Sequence, residues 1–384
     1  MSELISRLYN TIHVSMVEYG LAELLMRVTP TAIFQEKADL YNILTMRKQK
    51  DMRISKAFRE ALHEAYVKLK LEKMGVMETS RKGQRRLEEV EEGGVEGERN
   101  NVKKQEEESI YQKLIKFTSP EYWEEKKNVT LYMNFGLLEG KGYKVFDATA
   151  SPGQAKAGGF ELLLAALGRI YYSVIHRRED DKVKVMYLAF IPSSRLISGS
   201  KLDLELALHV RGLVARFEAG EFERTTFMER FSDIPDIAKP LVLSLFLDQN
   251  ALRLAWERKF RSNPISLSWV VLESGKKGGK NFRENVLIPL DKSMNAVIAL
   301  GEYQKPVRNL VQSIIKYGPR GGSLPRESIE WLSRIAYAFM NRDPEELAKV
   351  NLEVLRARDE EGGEGLWPLR QKELLKVCEI IESM

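Results

Sequence analysis

Along residues 1–74 the apolar positions recur at helical spacing. From Met16 to Val28 they follow a 3.6-residue period, and Pro30 supplies the stop because proline cannot continue the hydrogen-bond ladder. From Ile54 to Leu71 the same period returns in Phe58, Leu62, Tyr66 and Leu69. The pattern then disappears. Residues 75–108 run through RKGQRR, EEVEEGGVEGERN and VKKQEEE with almost no large apolar side chain. Such a stretch has nothing to bury, which predicts a solvated, mobile charged insertion.

Apolar patterning resumes after Ser109. Val129–Phe135 and Tyr143–Phe146 read as strands, and Asp147–Gly159 (DATASPGQAKAGG) as a loop of small residues. Phe160 to His176 reads as a strongly apolar helix. Lys182 to Ile191 begins as apolar–polar alternation and ends as a continuous apolar run, the mark of a strand. Leu202–Glu218 and Ile234–Arg258 are expected to be helices. Ile265–Glu273 and Phe282–Leu290 are expected to be two strands joined by a glycine- and lysine-rich loop. From Asp291 onward the pattern is helical, punctuated by GPRGG and GGEGLWP. No repeat of solenoid length is visible. This order predicts an α+β chain: a mixed central region with several strands flanked by helices, and a helical C-terminal region. The expected parts are an N-terminal helical region 1–74, the charged insertion 75–108, a mixed α/β core 109–290 and a C-terminal helical region 291–384.

Composition narrows the chemistry. Hydrophobic residues make up 43% of the 384, enough for a packed core. Charged residues reach 30%, which with a single cysteine leans towards a heat-adapted source. Cys378 is alone, so neither an intramolecular disulfide nor a cysteine zinc site is expected. The first residues lack the charged-then-apolar pattern of a signal peptide, and no stretch approaches the ~18 apolar residues of a membrane span. The expectation is a cytoplasmic protein with no membrane partner. Net charge is +5, and residues 241–330 alone carry 14 Lys and Arg against 8 Asp and Glu. A basic stretch on a near-neutral body suggests a local surface for phosphates.

Catalytic and cofactor motifs are sparse. His13, His63, His176 and His209 form no metal-ligand pair, and neither GxxxxGK[ST], GxGxxG nor GxSxG occurs. No cofactor, no metal and no catalytic residue are therefore expected. The Asp147–Gly159 loop precedes a helix, so its amides could cradle a phosphate with Lys156 as counter-charge. Arg169 and His176 lie seven positions apart, about two helical turns, and so on one face of the predicted helix. That spacing resembles the Arg-x(4–6)-His motif of HEPN ribonucleases, although Ile170 stands where that family commonly has a polar residue. The resemblance implies, as an alternative, a metal-independent endoribonuclease using Arg169 and His176. The glycine-lysine loop is the stronger candidate. Lys276, Lys277 and Lys280 alternate with Gly275, Gly278 and Gly279, and Asn281 and Arg283 follow. Glycines allow close approach to a phosphate backbone, lysines supply sequence-independent attraction, and Asn281 or Arg283 could reach base edges. Tyr171, Tyr172, Trp269, Trp331 and Trp367 sit in apolar patterns and are expected in the core.

The stretches HVSMVEYGLAELLMRVTP and ATASPGQAKAGGFELLLAALGRIYY, with the order of helices and strands, resemble the large subunit of the archaeal type I-A CRISPR interference complex (Cascade). The resemblance covers most of the chain, with 75–108 as the variable part. It implies a non-catalytic role in antiviral defence. Its partners would be guide RNA, target DNA, the other subunits of the complex and the helicase-nuclease it helps recruit. Such a subunit senses the short motif flanking the target while base pairing reads the sequence. Removal of residues 78–108 is expected to leave one cooperative melting transition, because the segment has no apolar side chains to anchor it. Thermal melting of the deleted chain beside the full chain checks this, and a collapsed transition would contradict it.

Overall fold

The computed structural model describes residues 11–29, 37–68, 110–123, 159–178, 184–192, 196–198, 201–217, 230–263, 265–274, 280–318, 323–360 and 365–384. The expected insertion 75–108, the strands 129–135 and 143–146, and the loop up to residue 158 lie outside them. The described residues are mainly helical with small sheets, and their registered strand pairs are antiparallel, an α+β arrangement. The chain divides into two compact units. One comprises Met1–Ala189, Arg195–Ala207 and Trp269–Asn285; the other comprises Phe190–Ser194, Leu208–Ser268 and Val286–Met384.

In the first unit the two helical periods of the N-terminal region become α1 (Thr11–Val28) and α3 (Met52–Lys68), with α2 (Tyr41–Lys48) between them. The buried stripe of α3 is Ile54, Phe58, Ala61, Leu62 and Ala65, spaced as one helical face requires. Tyr66 falls beside that stripe and is 44% exposed, its ring 4.7 Å from Tyr111 of α4 (Ile110–Phe117). The next helix, α5 (Gly159–Tyr172), is apolar except for Glu161 and Arg169, and each of its residues is buried.

The approach of α1 and α5 is set by two glycines. A Cβ built on Gly20 would fall on the carbonyl oxygen of Leu164, and one built on Gly168 would fall on that of Met16. The pairs run in opposite chain directions, four residues apart on each helix, so the helices pass antiparallel with backbone against backbone. Beside this contact Tyr19 stacks on Tyr172 with ring centroids 4.4 Å apart. One end of α1 carries a partly buried ionic network. Arg27 donates to Glu23 at 2.7 Å, to Glu64 at 2.6 Å and to the Tyr171 hydroxyl at 3.3 Å. The Tyr171 hydroxyl in turn donates to the carbonyl of Ala61 at 2.8 Å. Burial alone would lower the Arg27 pKa, but the hydrogen bond to Glu64 and the charge of Glu23 raise it further than burial lowers it.

Three sequence expectations are corrected here. The helix expected to reach His176 stops at Tyr172, and Ser173–Arg178 form strand β2 instead. Strand β3 (Lys184–Pro192) pairs with it antiparallel, from Ser173 opposite Ala189 to Arg178 opposite Lys184. Local apolar spacing favoured helix, but a six-residue ladder with two β-branched residues, Val174 and Ile175, outweighs it. The helix expected from Leu202 starts two residues later. Short strands β4 (Ile197–Ser198) and β5 (Lys201–Asp203) come first, in a sheet of order β1-β5-β4 with β1 (Lys37–Asp39). Asp203 Oδ1 then accepts from the Leu206 N–H at 3.0 Å, starting α6 (Leu204–Ala215). The long helix expected over Ile234–Arg258 is split into α7 (Lys239–Leu245) and α8 (Gln249–Ala255). Asp248 caps the second, accepting from the Ala251 N–H at 2.8 Å. Past Ala255 the helix widens into a π-turn, closed by a 3.1 Å hydrogen bond from the Arg261 N–H to the Trp256 carbonyl.

The second unit is helical in its C-terminal part, as its period predicts: α9 (Asp291–Leu300), α10 (Gln304–Lys316), α11 (Arg326–Asn341), α12 (Pro344–Glu360) and α13 (Gln371–Ser383). Buried polar side chains fasten their ends. Gln304 Nε2 donates to the carbonyls of Leu245 and Leu247 at the end of α7, at 3.1 and 2.8 Å. Arg230 donates to the carbonyls of Ile315 and Tyr317 at the end of α10. Among the described residues no helix is long and apolar enough to cross a membrane.

Replacing Gly20 or Gly168 with Ala is expected to cost about 3 kcal/mol of unfolding free energy, because a methyl group would have to displace backbone rather than a flexible side chain. The two losses should not add, since either one already separates the helices. Urea unfolding of the two single variants and the double variant measures both effects.

Candidate nucleic-acid interface

Two ten-residue strands carry the basic candidate. β6 (Ile265–Ser274) and β7 (Lys280–Pro289) are hydrogen-bonded neighbours in a sheet of order β2-β3-β6-β7. Five residues join them. A parallel pair needs a crossover of a dozen or more, so the two strands form a hairpin. Its base is fixed in apolar surroundings: Ile265, Leu267, Ile288 and Leu290 are all buried, and the Leu290 N–H donates to the Ile265 carbonyl at 3.3 Å.

The basic candidates fall at the other end. Lys280, Asn281 and Arg283 all lie in the first four residues of β7, so one strand brings these three together. Lys276 and Lys277 belong to the five-residue connection, and they and Lys156 lie outside the described residues.

The ribonuclease pair is not held on one helical face. Arg169 is in α5 and 1% exposed, whereas His176 is in strand β2 opposite Met186. Ser173 Oγ donates to the Arg169 carbonyl exactly where helix gives way to strand. The two-turn spacing that suggested shared chemistry is therefore broken between them. His63 is exposed, with its ring 6.5 Å from that of Tyr111. Among the described residues no group of three His, Cys, Asp or Glu is placed to hold a metal ion.

Two features of the second unit escaped the sequence reading. The first is an open apolar cavity of about 890 Å³, lined by Ile237, Leu241, Ala296, Phe339 and Met340, with Asp291 in its wall. Asp291 Oδ1 is buried without a hydrogen-bond partner. Burial raises the Asp291 pKa above the ordinary carboxylate value, against the opposing effect of a backbone hydrogen bond from Ile265. Lys292, Ser293, Asn295 and Arg342 share the cavity wall with Asp291, which is the one Asp or Glu side chain in the lining. The second feature is Trp367. Trp331 meets the core expectation: it is buried, with its indole N–H donating to Glu353 at 3.2 Å. Trp367 does not, at 68% exposed. The signal was present in its flanks, Gly365 and Pro368, which mark a turn and not a packed element.

Compared with known protein families, curated proteins and solved structures, the chain matches none.

Asp291→Asn is expected to raise the melting temperature at neutral pH. A carboxyl with a raised folded-state pKa favours folding when protonated, and that advantage is lost as pH rises through the folded pKa. The asparagine stays neutral throughout. Its advantage should therefore shrink as pH falls through the raised folded-state pKa and be gone below the ordinary Asp value, which paired melting curves across the acid range would show.

Proposed function

We propose that the chain is a non-catalytic nucleic-acid-binding subunit, acting as the large subunit of a type I-A CRISPR interference complex. In this reading the β6–β7 hairpin rests on the phosphates of target duplex DNA near the flanking motif. The observation that carries it is the hairpin: two adjacent ten-residue strands, a five-residue connection, and Lys280, Asn281 and Arg283 opening the return strand. A hairpin end is narrow enough to enter or straddle a groove, and the glycines of the connection let backbone come close. The local basic excess of residues 241–330 supports the same reading, as does the sequence resemblance stated above. The ribonuclease alternative loses its support, because Arg169 and His176 belong to different elements.

In this assignment the lysines position the duplex and carry no sequence information, whereas Asn281 and Arg283 are the residues able to discriminate flanking motifs. Replacing Lys276, Lys277 and Lys280 together with Ala should weaken duplex binding. It should also flatten the slope of log affinity against log salt by about 2–3 units, with nearly equal effect on targets with and without the correct motif. The measurement is a salt titration of wild type and variant on both targets. It is run with the full chain and with whatever guide RNA and subunits co-purify with a tagged copy. An unchanged slope removes the hairpin from the interface. Cleavage of single-stranded RNA in EDTA by the pure chain, lost in Arg169→Ala, would restore the ribonuclease reading.

A further inference from the structure

Helix α3 turns one face to solvent along most of its length. Met52, Lys56, Arg59, His63 and Tyr66 are all exposed and recur at helical spacing, so they form one stripe opposite the buried Ile54, Phe58, Ala61, Leu62 and Ala65. From Lys56 to Tyr66 the stripe runs about 15 Å along the axis. Helix α4 lies beside it. Arg59 Nε donates to Thr118 Oγ1, just past the end of α4, at 3.0 Å. Nearer the start of α4, Tyr111 sits against Tyr66 with ring planes tilted by 30°, and its ring is 6.5 Å from that of His63. Cations thus occupy one part of the stripe and aromatic rings the other.

The surroundings are basic. Residues 41–68 carry seven Lys and Arg against three Asp and Glu, and residues 110–123 add Lys113 and Lys116 against Glu121. The three acids of 41–68 are already engaged. Glu64 pairs with Arg27 of α1 at 2.6 Å, and Asp51 pairs with Arg53 at 2.8 Å in the turn before α3. Glu60 stands 3.8 Å from Lys56, and both side chains are mostly exposed. A pair so exposed contributes little, so Lys56 readily exchanges its carboxylate for a phosphate. Lys48, at the end of α2 and next to that turn, is exposed and forms no ion pair with a described residue. Among the described residues Arg59 bonds only Thr118, through Nε, which leaves its two terminal nitrogens for a ligand.

We propose that the exposed face of α3 binds single-stranded nucleic acid lengthwise, with Lys48, Lys56 and Arg59 on its phosphates and Tyr66, backed by Tyr111, stacked on a base. The local excess of cations selects a polyanion. Rings on the same face select one that also carries exposed π-faces, which an acidic protein surface does not offer. A duplex does not fit, because its bases are already stacked on one another. Tyr66 is held against Tyr111 before any ligand arrives, so little further ordering is needed on binding. The inference rests on reading the chain as a nucleic-acid-binding protein, but on residues other than those of the hairpin.

The test titrates the full chain with short fluorescent oligouridylate and oligothymidylate in separate arms, read by anisotropy at several salt concentrations; the arms show whether RNA or DNA is preferred. Tyr66→Ala, checked for an unchanged melting temperature, is expected to bind the single strand about 5- to 150-fold more weakly. Tyr66→Phe should keep most of the affinity. Lys48→Ala combined with Lys56→Ala, which removes only exposed side chains, should flatten the salt slope by about 1.4 units. Duplex binding should survive both changes, and single-strand binding should survive replacement of the three hairpin lysines. A double-lysine variant with the wild-type slope and affinity overturns the proposal. So does a variant that loses co-purifying subunits while its oligonucleotide binding stays intact, because the face is then a protein interface. Wild type that binds duplex but no single strand overturns it while leaving the hairpin assignment standing. Wild type that binds neither removes both.

Discussion

Gly20 and Gly168 let α1 and α5 touch backbone to backbone, and much of the first unit follows from that contact. With no side chain between the axes, flanking residues must lie flat in the narrow spaces on either side. Tyr19 and Tyr172 do so, nearly parallel at 11° between ring planes. Burial, the neighbouring Tyr172 and the charge of Glu18 push the Tyr19 hydroxyl pKa up, so the ring stays neutral in the core. Close approach also buries polar groups that then need partners. Glu18 Oε2 accepts from the Leu196 N–H at 3.1 Å, which ties the β4 segment to α1. Arg27 gathers Glu23, Glu64 and Tyr171 onto one guanidinium and so joins α1, α3 and α5. Removing one partner of such a network leaves an uncompensated buried charge, a larger loss than the network's net contribution to stability.

The elements legible in the sequence are those whose period persists over three or more turns or a whole strand. α3, β3, the β6–β7 hairpin and the helices after Asp291 are of this kind. Illegible were the junctions. At Tyr172–Ser173 the apolar run continues without a break, and only the ladder to β3 ends the helix. At Asp248 the signal existed, an N-cap residue ahead of a helical stretch, but the apolar spacing on either side concealed it. The glycines of α1 and α5 also carried a signal. Glycine inside a helix costs about 1 kcal/mol relative to alanine, so its presence there asks for a packing reason.

The candidate site was legible in its chemistry and only partly in its geometry. Runs of glycine and lysine between two apolar stretches announce a hairpin turn, and the strands that hold it match within two residues. Trp367 was misjudged because a tryptophan next to two leucines reads as core. The three-residue period that turns it outward has no counterpart in helix or strand patterning. Arg169 and His176 show the opposite failure. Their spacing was real in sequence and lost its meaning once a strand replaced the last turn of the helix.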